Sequence, residues 1–360
     1  MKTRVSMKLV LFGLAVAFTL ALASVASAQP GEFAKNGVLQ PLADGFPKQA
    51  ITIINIDDPG TRDGIYARTL QKVLRGISPV DILVSDEPAA NIGTFHVLQD
   101  TLRRRGGPDG CYPAIITVFA NISDLLLEPL GQELGVGPED LNIVIVTDVT
   151  PYVLIQRKNP PWGHTFKDLE KYVLANPGKA RYISRDVGTG SDLVSEYMML
   201  NRGWKVTKIP QPGNPAVIQG VGSGNGDWGM TTVENMKIAW EAGKVEPLLM
   251  WGPSKTVPDI WKNEPNLLTY EQAGFKPPVI GGTQLGLAVP KQVPDSHREW
   301  LFKLFKAAAS TEEFKRREQV IPGDKITIMD PKEANQYKLD TLKAMEPVVR
   351  AIGMHYDQKK

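Results

Sequence analysis

The sequence predicts an α/β fold in two lobes, each a mostly parallel sheet flanked by helices, with a cleft between them. Three observations carry that expectation. Short apolar runs alternate with helical patterns from Ile51 onward. Two long extended runs, Asn142 to Gln156 and Gly281 to Pro290, are placed to pass from one lobe to the other. Three strand ends run through small-residue turns into helix starts.

The first residues stand apart from the fold. Lys2, Arg4 and Lys8 precede an apolar run from Leu9 to Ala23, and Ala26-Ser27-Ala28 supplies the small-residue pattern of a signal-peptidase site. Residues 1 to 28 read as a cleaved secretory signal peptide, too short in its apolar part to span a bilayer, so the mature protein is expected outside the cytoplasm. Residues 29 to 48 hold Pro30, Gly31, Pro41, Gly45 and Pro47 with little periodicity and read as a leader before order begins near Ala50.

Ile51 to Ile56 is the first strand. A helix follows with Ile65, Thr69 and Val73 on one face and Tyr66, Leu70 and Leu74 beside it. Ile82 to Val84 is a second strand, a helix starts near Asn91, and Ile115 to Phe119 is a third strand, an order that implies parallel pairing through right-handed crossovers. Asn142 to Gln156 is rich in β-formers and broken at Thr150-Pro151. Beyond it come a strand at Arg181 to Ser184, a helix at Leu193 to Leu200, a strand at Trp228 to Thr231, and a helix at Glu234 to Glu241 ended by Gly243. After Pro290 the pattern is helical, with Trp300, Leu301, Leu304 and Phe305 on one stripe. Residues 29–150 plus 285–360 are expected to form one lobe and 151–284 the other.

Composition narrows the function. The 360 residues are 42% hydrophobic and 22% charged, enough for two packed domains. Removing Lys2, Arg4 and Lys8 with the signal peptide takes 41 basic against 39 acidic side chains to 38 against 39, a balance that does not suit nucleic acid. Cys111 is the single cysteine, so no internal disulfide forms, and it reads as a small core residue. His96, His164, His297 and His355 show no metal-ligand spacing. Ser223 has Val221 and Asn225 where a nucleophile elbow needs glycines, and "GVGSGNG" at 220 to 226 reads as a turn between helix and strand. Arg103-Arg104-Arg105 reads as the cationic end of a helix, and the seven tryptophans as packing, with Trp228 near a strand expected to border the cleft. Neither a metal nor a cofactor is expected. Binding is favoured over catalysis.

The candidate binding elements are three corners. They are "NIDDPGTRDG" at 55 to 64, "NIGT" at 91 to 94 and "RDVGTGSD" at 185 to 192. Helix starts present unpaired N–H groups and a partial positive charge, so two of them facing one another can hold a carboxylate without a charged side chain. Each is also explained as an ordinary capped helix start, with Thr94, Ser191 and Asp192 as caps.

These corners, with "FPKQAITIINIDDPGTRDGIYARTLQKVL" from Phe46, "PDG" at 108 to 110, "ANPGKARYIS" at 175 to 184 and "AGKVEPL" at 242 to 248, resemble in content and order the tripartite tricarboxylate transporter receptors, the Bug-type periplasmic binding proteins. The resemblance covers nearly the whole mature chain. It implies a monomeric periplasmic receptor with a type II-like two-lobed fold that closes on a small carboxylate and delivers it to membrane permease subunits. By position it assigns Asp58, Pro59, Gly60, Thr61 and Arg62 to the first-lobe loop, and Asn91 and Thr94 to a second element of that lobe. It assigns Gly188, Thr189, Gly190, Ser191 and Asp192 to the second-lobe carboxylate loop, and Thr231 and Thr232 to the strand end bordering the cleft. An exported α/β enzyme acting on a small carboxylate, or a sensing subunit for a membrane kinase, would use the same cleft.

The sequence departs from the family pattern where the ligand would sit. Asp57 and Asp58 intrude, Thr61 and Arg62 replace glycines, Asp63 is one place off the usual aspartate, and Asp192 stands where histidine is frequent. Asp63 reads as an N-cap and Asp58 as an Asx turn over Pro59-Gly60. If Asp57 and Asp58 faced the cleft, each repulsion with a carboxylate at about 4 Å would amount to on the order of 4 kcal/mol. Two of them would cancel a micromolar affinity of roughly 8 kcal/mol. So the aspartates turn away, Arg62 neutralises one, or the ligand has a cationic or donor-rich end.

Overall fold

The computed structural model describes residues 29–88, 93–105, 107–252, 261–277, 281–317 and 325–358. In chain order the strands are β1 (Ile51–Asn55), β2 (Ile82–Asp86), β3 (Ala114–Thr117), β4 (Leu141–Thr150), β5 (Tyr152–Arg157), β6 (Arg181–Arg185), β7 (Thr207–Gln211), β8 (Trp228–Thr232), β9 (Val245–Trp251), β10 (Leu268–Thr269), β11 (Thr283–Pro290) and β12 (Lys325–Met329). They form two six-stranded sheets, ordered β12-β4-β11-β3-β1-β2 and β10-β9-β5-β8-β6-β7. The fold is two-lobed α/β.

Each sheet is mixed in the same way. β11 runs antiparallel to both β3 and β4, and β5 antiparallel to both β8 and β9, while β1 with β2 and β3, and β6 with β7 and β8, pair in parallel. The reversed strands are the ones that carry the chain across. β4 ends at Thr150 and passes through Pro151 directly into β5, and β11 enters the first sheet at Thr283, paired with Thr150.

That crossing determines where a cleft lies. β4 runs in the direction of β3, β1 and β2 and ends with them at the Thr150 edge, and the strands opposed to β5 end at the edge of the second sheet where Tyr152 begins. The carboxyl ends of the parallel strands in both sheets therefore face one gap, the usual position of ligands in open α/β sheets.

The helices follow as α1 (Arg62–Leu74), α2 (Gly93–Arg104), α3 (Val118–Leu127), α4 (Leu130–Glu133), α5 (Phe166–Ala175), α6 (Gly190–Arg202), α7 (Gly213–Gly222), α8 (Val233–Glu241), α9 (Asp295–Ala309), α10 (Glu312–Lys315) and α11 (Pro331–Ala351). No described helix is long and apolar enough to cross a membrane. α11 starts cleanly because Pro331 opens it while Asp330 and Glu333 exchange hydrogen bonds as a capping box.

Three expectations are corrected here. The expected third strand stops at Thr117, and Val118 and Phe119 already belong to α3. Its buried residues include Val118, Phe119, Ile122 and Leu127, and Asn121, Ser123 and Asp124 are buried as well, so it has no exposed face to betray helical periodicity. Phe119, Leu126 and Leu127 of α3 and Met345, Val348 and Val349 of α11 share one core cluster with Leu193, Val194 and Met198 of α6, which ties the two sheets together.

Residues 29–48 are not a loose leader. Leu39 and Phe46 are buried in the core of the first sheet, Phe46 stacks on His297 at 3.9 Å, and the Trp300 indole donates to the Gln40 carbonyl at 2.8 Å. Trp228 is not at the cleft either. It opens β8 at the far end, fully buried, and stacks on Tyr182 at 4.2 Å.

Candidate functional site

The first corner is organised by Asn55 rather than by an aspartate. Its amide donates to the Asp57 carbonyl at 2.6 Å and to Asp86 Oδ1 at 2.8 Å, and its own oxygen accepts the Asp57 N–H at 3.3 Å. This is an Asx-type turn, three residues before the one expected of Asp58. Asp57, Asp58, Pro59 and Gly60 are all exposed. The turn closes at Thr61, whose N–H and hydroxyl both donate to the Asp58 carbonyl, at 3.1 and 2.7 Å.

Thr61, not Asp63, is the N-cap of α1, accepting from the Gly64 N–H at 3.4 Å. The helix thus starts two residues earlier than a cap at Asp63 would place it. Gly64 permits this, since a Cβ there would stand 2.3 Å from the Pro59 carbonyl oxygen and 2.7 Å from that of Asp58.

Arg62 turns into the first lobe. Its Nη2 donates to Asp148 Oδ1 at 2.8 Å and to Thr150 Oγ1 at 2.6 Å, and Arg317, stacked over Tyr66, holds the other Asp148 oxygen at 3.1 Å. Asp148 is fully buried, so two guanidinium groups compensate its charge. Arg62 is therefore anchored at the cleft end of β4.

Asp63 lies beside this network. Burial pushes its carboxyl up to about 6, against the pull of Arg62, with Asp57 adding to the rise and Arg317 and Arg185 opposing it. Arg185 closes β6 in the other sheet, so the α1 and β6 corners approach across the gap.

The second corner is built around Gly188 to Ser191. Gly188 has φ +86°, and a Cβ on it would stand 2.9 Å from Leu127 Cδ1 of α3. A Cβ on Gly190 would stand 2.4 Å from the Tyr152 hydroxyl and 3.3 Å from Phe119 Cδ1. The α6 N-terminus is thus seated where the sheets meet.

Its side chains divide into two groups. Thr189 spends its hydroxyl on the Arg185 and Asp186 carbonyls, at 2.9 and 3.2 Å. Asp192 is fully buried and points inward, accepting from the Gly188 N–H at 2.9 Å, from Lys208 Nζ at 2.7 Å and from the Tyr182 hydroxyl at 3.4 Å. Burial raises its carboxyl above the ordinary value against the pull of Lys208. Asp192 therefore braces the loop and does not present a group to the cleft.

Ser191 Oγ, by contrast, is out of solvent and makes no hydrogen bond, and the same holds for Thr231 Oγ1 and Ser184 Oγ at the ends of β8 and β6. Thr232 caps no amide, and its hydroxyl accepts from the Asn235 amide at 2.6 Å.

Three groups that the sequence reading passed over stand with them. Tyr152 opens β5 opposite Thr232, its hydroxyl interacting with Thr283 and lying within the fields of Arg185, Arg62 and Glu234, while burial raises its pKa. Glu234, in the first turn of α8, has a buried Oε2 with no hydrogen-bond partner. Arg185 has a buried Nε without a hydrogen bond, its ion-pair partner Asp186 being 3.9 Å away. The legible signal for all three was position, since each lies within two residues of a strand end at the cleft edge.

The "NIGT" corner contributes differently from expectation. Thr94 is fully buried and donates to the Ile115 carbonyl at 3.3 Å, fastening α2 to β3, and Asn91 lies outside the described residues. Among the described residues no group of three or more His, Cys, Asp or Glu could hold a metal ion.

The profile of the tripartite tricarboxylate transporter family receptor matches residues 67–354, most of the chain. The protein belongs to that receptor family. Among curated proteins, a UPF0065 protein of Bordetella pertussis is 24% identical over 172 residues, 48% of this chain and 51% of its own, so the match spans about half the length of that relative. A TctC solute binding protein from Polaromonas, solved without ligand, shares the fold with a TM-score of 0.70 at 16% identity, over 85% of this receptor and 99% of that chain. MatC from Rhodopseudomonas palustris, solved with bound malate, aligns at TM-score 0.60 and 19% identity over 84% of this receptor and 100% of its own chain. A second R. palustris protein, solved with adipate, aligns at 0.64 and 18% over 86% and 98%. These likenesses are likenesses of fold.

Proposed function

We propose that this receptor captures a small organic acid in the periplasm, between a lobe of residues 29–150 plus 285–360 and a lobe of residues 151–284, and delivers it to the membrane subunits of a tripartite transporter. One observation carries the reading. The α6 N-terminus, with its unpaired amides and the buried, unpartnered Ser191 hydroxyl, sits at the gap into which the strand ends of both sheets open. Unpaired N–H donors, a helix dipole and a free hydroxyl in a partly dry gap suit a carboxylate. The malate and adipate of the two R. palustris proteins make small acids of four to six carbons reasonable candidates.

The second-lobe residues that carry the ligand in this reading are Gly188, Gly190 and Ser191, with Thr231 beside them. On the first lobe Thr61 and Arg62 shape the wall, and Pro59 and Gly60 form its rim. Isothermal titration of the mature chain against a panel of small mono-, di- and tricarboxylates tests it, together with small-angle scattering to follow closure. Stoichiometric binding with a fall in radius of gyration and no chemical change in the ligand is expected. Absence of binding to every acid, or turnover of the bound one, would overturn the proposal.

A further inference from the structure

From the second lobe's unsatisfied groups we infer that the acid this receptor takes is zwitterionic, a small carboxylic acid bearing an ammonium group, and that Glu234 is the residue selecting it. The inference rests on the receptor reading and specifies its ligand.

Two opposite poles lie in one gap. The anion-seeking pole is the α6 N-terminus with Ser191, 3% exposed and with its hydroxyl unpartnered, and with Arg185, whose Nε makes no hydrogen bond. The cation-seeking pole is Glu234. Its Oε2 is removed from solvent and accepts nothing, although hydrogen-bond donors satisfy nearly all buried carboxylate oxygens in folded proteins.

A glutamate in the first turn of a helix has an ordinary explanation, complementing the α8 dipole at its N-terminus. A residue serving only that role keeps its carboxylate in water or on the helix's own first amides. Glu234 Oε2 does neither.

Register brings the two poles to one place. Tyr152 pairs with Thr232 across β5 and β8, and Ile183 with Gly229 across β8 and β6, so the ends of β8 and β6 lie one and two strands from Tyr152, roughly 5 and 10 Å. Both Arg185 and Glu234 act on the Tyr152 hydroxyl, one lowering and one raising its pKa, and that hydroxyl abuts Gly190 at the start of α6. A molecule a few bonds long therefore reaches from Ser191 and Arg185 to Glu234.

A plain dicarboxylate would place a negative group against Glu234, whereas a hydroxy acid offers it a neutral donor. An ammonium supplies both the missing donor and the opposite charge, and hydrogen bonds between ionised partners are about twice as strong as neutral ones. The two aspartates of the first corner are exposed, so neither presents a desolvated carboxylate oxygen of the kind Glu234 does.

The test is a titration of the mature receptor and of Glu234→Gln with four probes: glutamate, aspartate, malate and succinate. A control variant, Glu241→Gln, changes an exposed carboxylate at the other end of α8. Thermal melts of all three proteins check folding. The wild type is expected to bind an amino acid more tightly than its hydroxy or unsubstituted counterpart. Glu234→Gln is expected to weaken the amino acid by about 10- to 100-fold while leaving succinate unchanged or tighter, and Glu241→Gln to change neither. If malate or succinate binds at least as well as the amino acids and Glu234→Gln leaves the order unaltered, the zwitterion inference falls and the receptor reading stands. If no acid binds at all, both fall.

Discussion

Asp63 is held in a state that the fold tolerates rather than favours. Its carboxyl has a pKa of about 6 in the folded chain and an ordinary 3.8 when unfolded, chiefly because of burial beside the Arg62–Asp148 pair. The folded state consequently binds the Asp63 proton more tightly than the unfolded chain does. Above pH 6 both states are ionised and the folded one carries the whole penalty, which disappears as pH falls through 6 towards 3.8. Taking about 1.4 kcal/mol per pKa unit, the penalty at neutral pH is at most about 3 kcal/mol. Since Asp63 retains some solvent contact, about 1 to 2 kcal/mol is the working expectation. Asp63→Asn removes the ionisation without changing the shape of the side chain. Urea unfolding of wild type and variant should show the variant more stable by that amount at pH 7.5 and the two alike at pH 4. A difference that does not vary between those pH values, or a variant less stable at pH 7.5, would refute the account of Asp63 as a buried, penalised carboxylate.

Gly190→Ala sets a methyl 2.4 Å from the Tyr152 hydroxyl and 3.3 Å from Phe119, so either ring shifts or the α6 start retreats. A loss of about 1 to 3 kcal/mol in urea unfolding and at least a tenfold loss of acid affinity in titration are expected, and unchanged affinity would show that this corner does not hold the ligand. Gly64→Ala meets backbone oxygen at 2.3 Å and should destabilise by about 2 to 4 kcal/mol, read from the shift in unfolding midpoint. Asp192→Ala removes both the partner that holds Lys208 and the buried acceptor for the Gly188 N–H. About 2 kcal/mol of stability should be lost, the buried-pair value reduced because Lys208 is partly exposed and keeps Glu196 at 2.8 Å.

Strands and corners differ in how openly the chain announces them. β1, β4 and β5 are runs rich in β-formers because both faces of a central strand are covered, and such runs stand out in any sequence. The turn at Gly188 to Ser191 is legible for a similar reason, since a strand, a glycine-rich step and a helix start leave a local imprint. α3 leaves none, being buried around its circumference between α6 and α11. Residues 29–48 lack periodicity because their order comes from α9, through Trp300 and His297, and not from any repeating face of their own.

The candidate site shows the same division more sharply. From composition and pattern alone follow the α/β class, the two crossing strands and the small-residue helix starts, because each depends on residues within a few positions of one another. Which polar groups meet at the cleft is a different kind of fact. Asp58 and Asp192 look like ligand groups in the chain, yet one faces water and the other braces a loop through Lys208. Arg185, Tyr152 and Glu234 look ordinary, yet strand register sets them around one hydroxyl. Side-chain chemistry is written locally, but desolvation and the company a charge keeps depend on contacts between segments far apart in sequence, and those exist only after both sheets have formed and closed on Pro151.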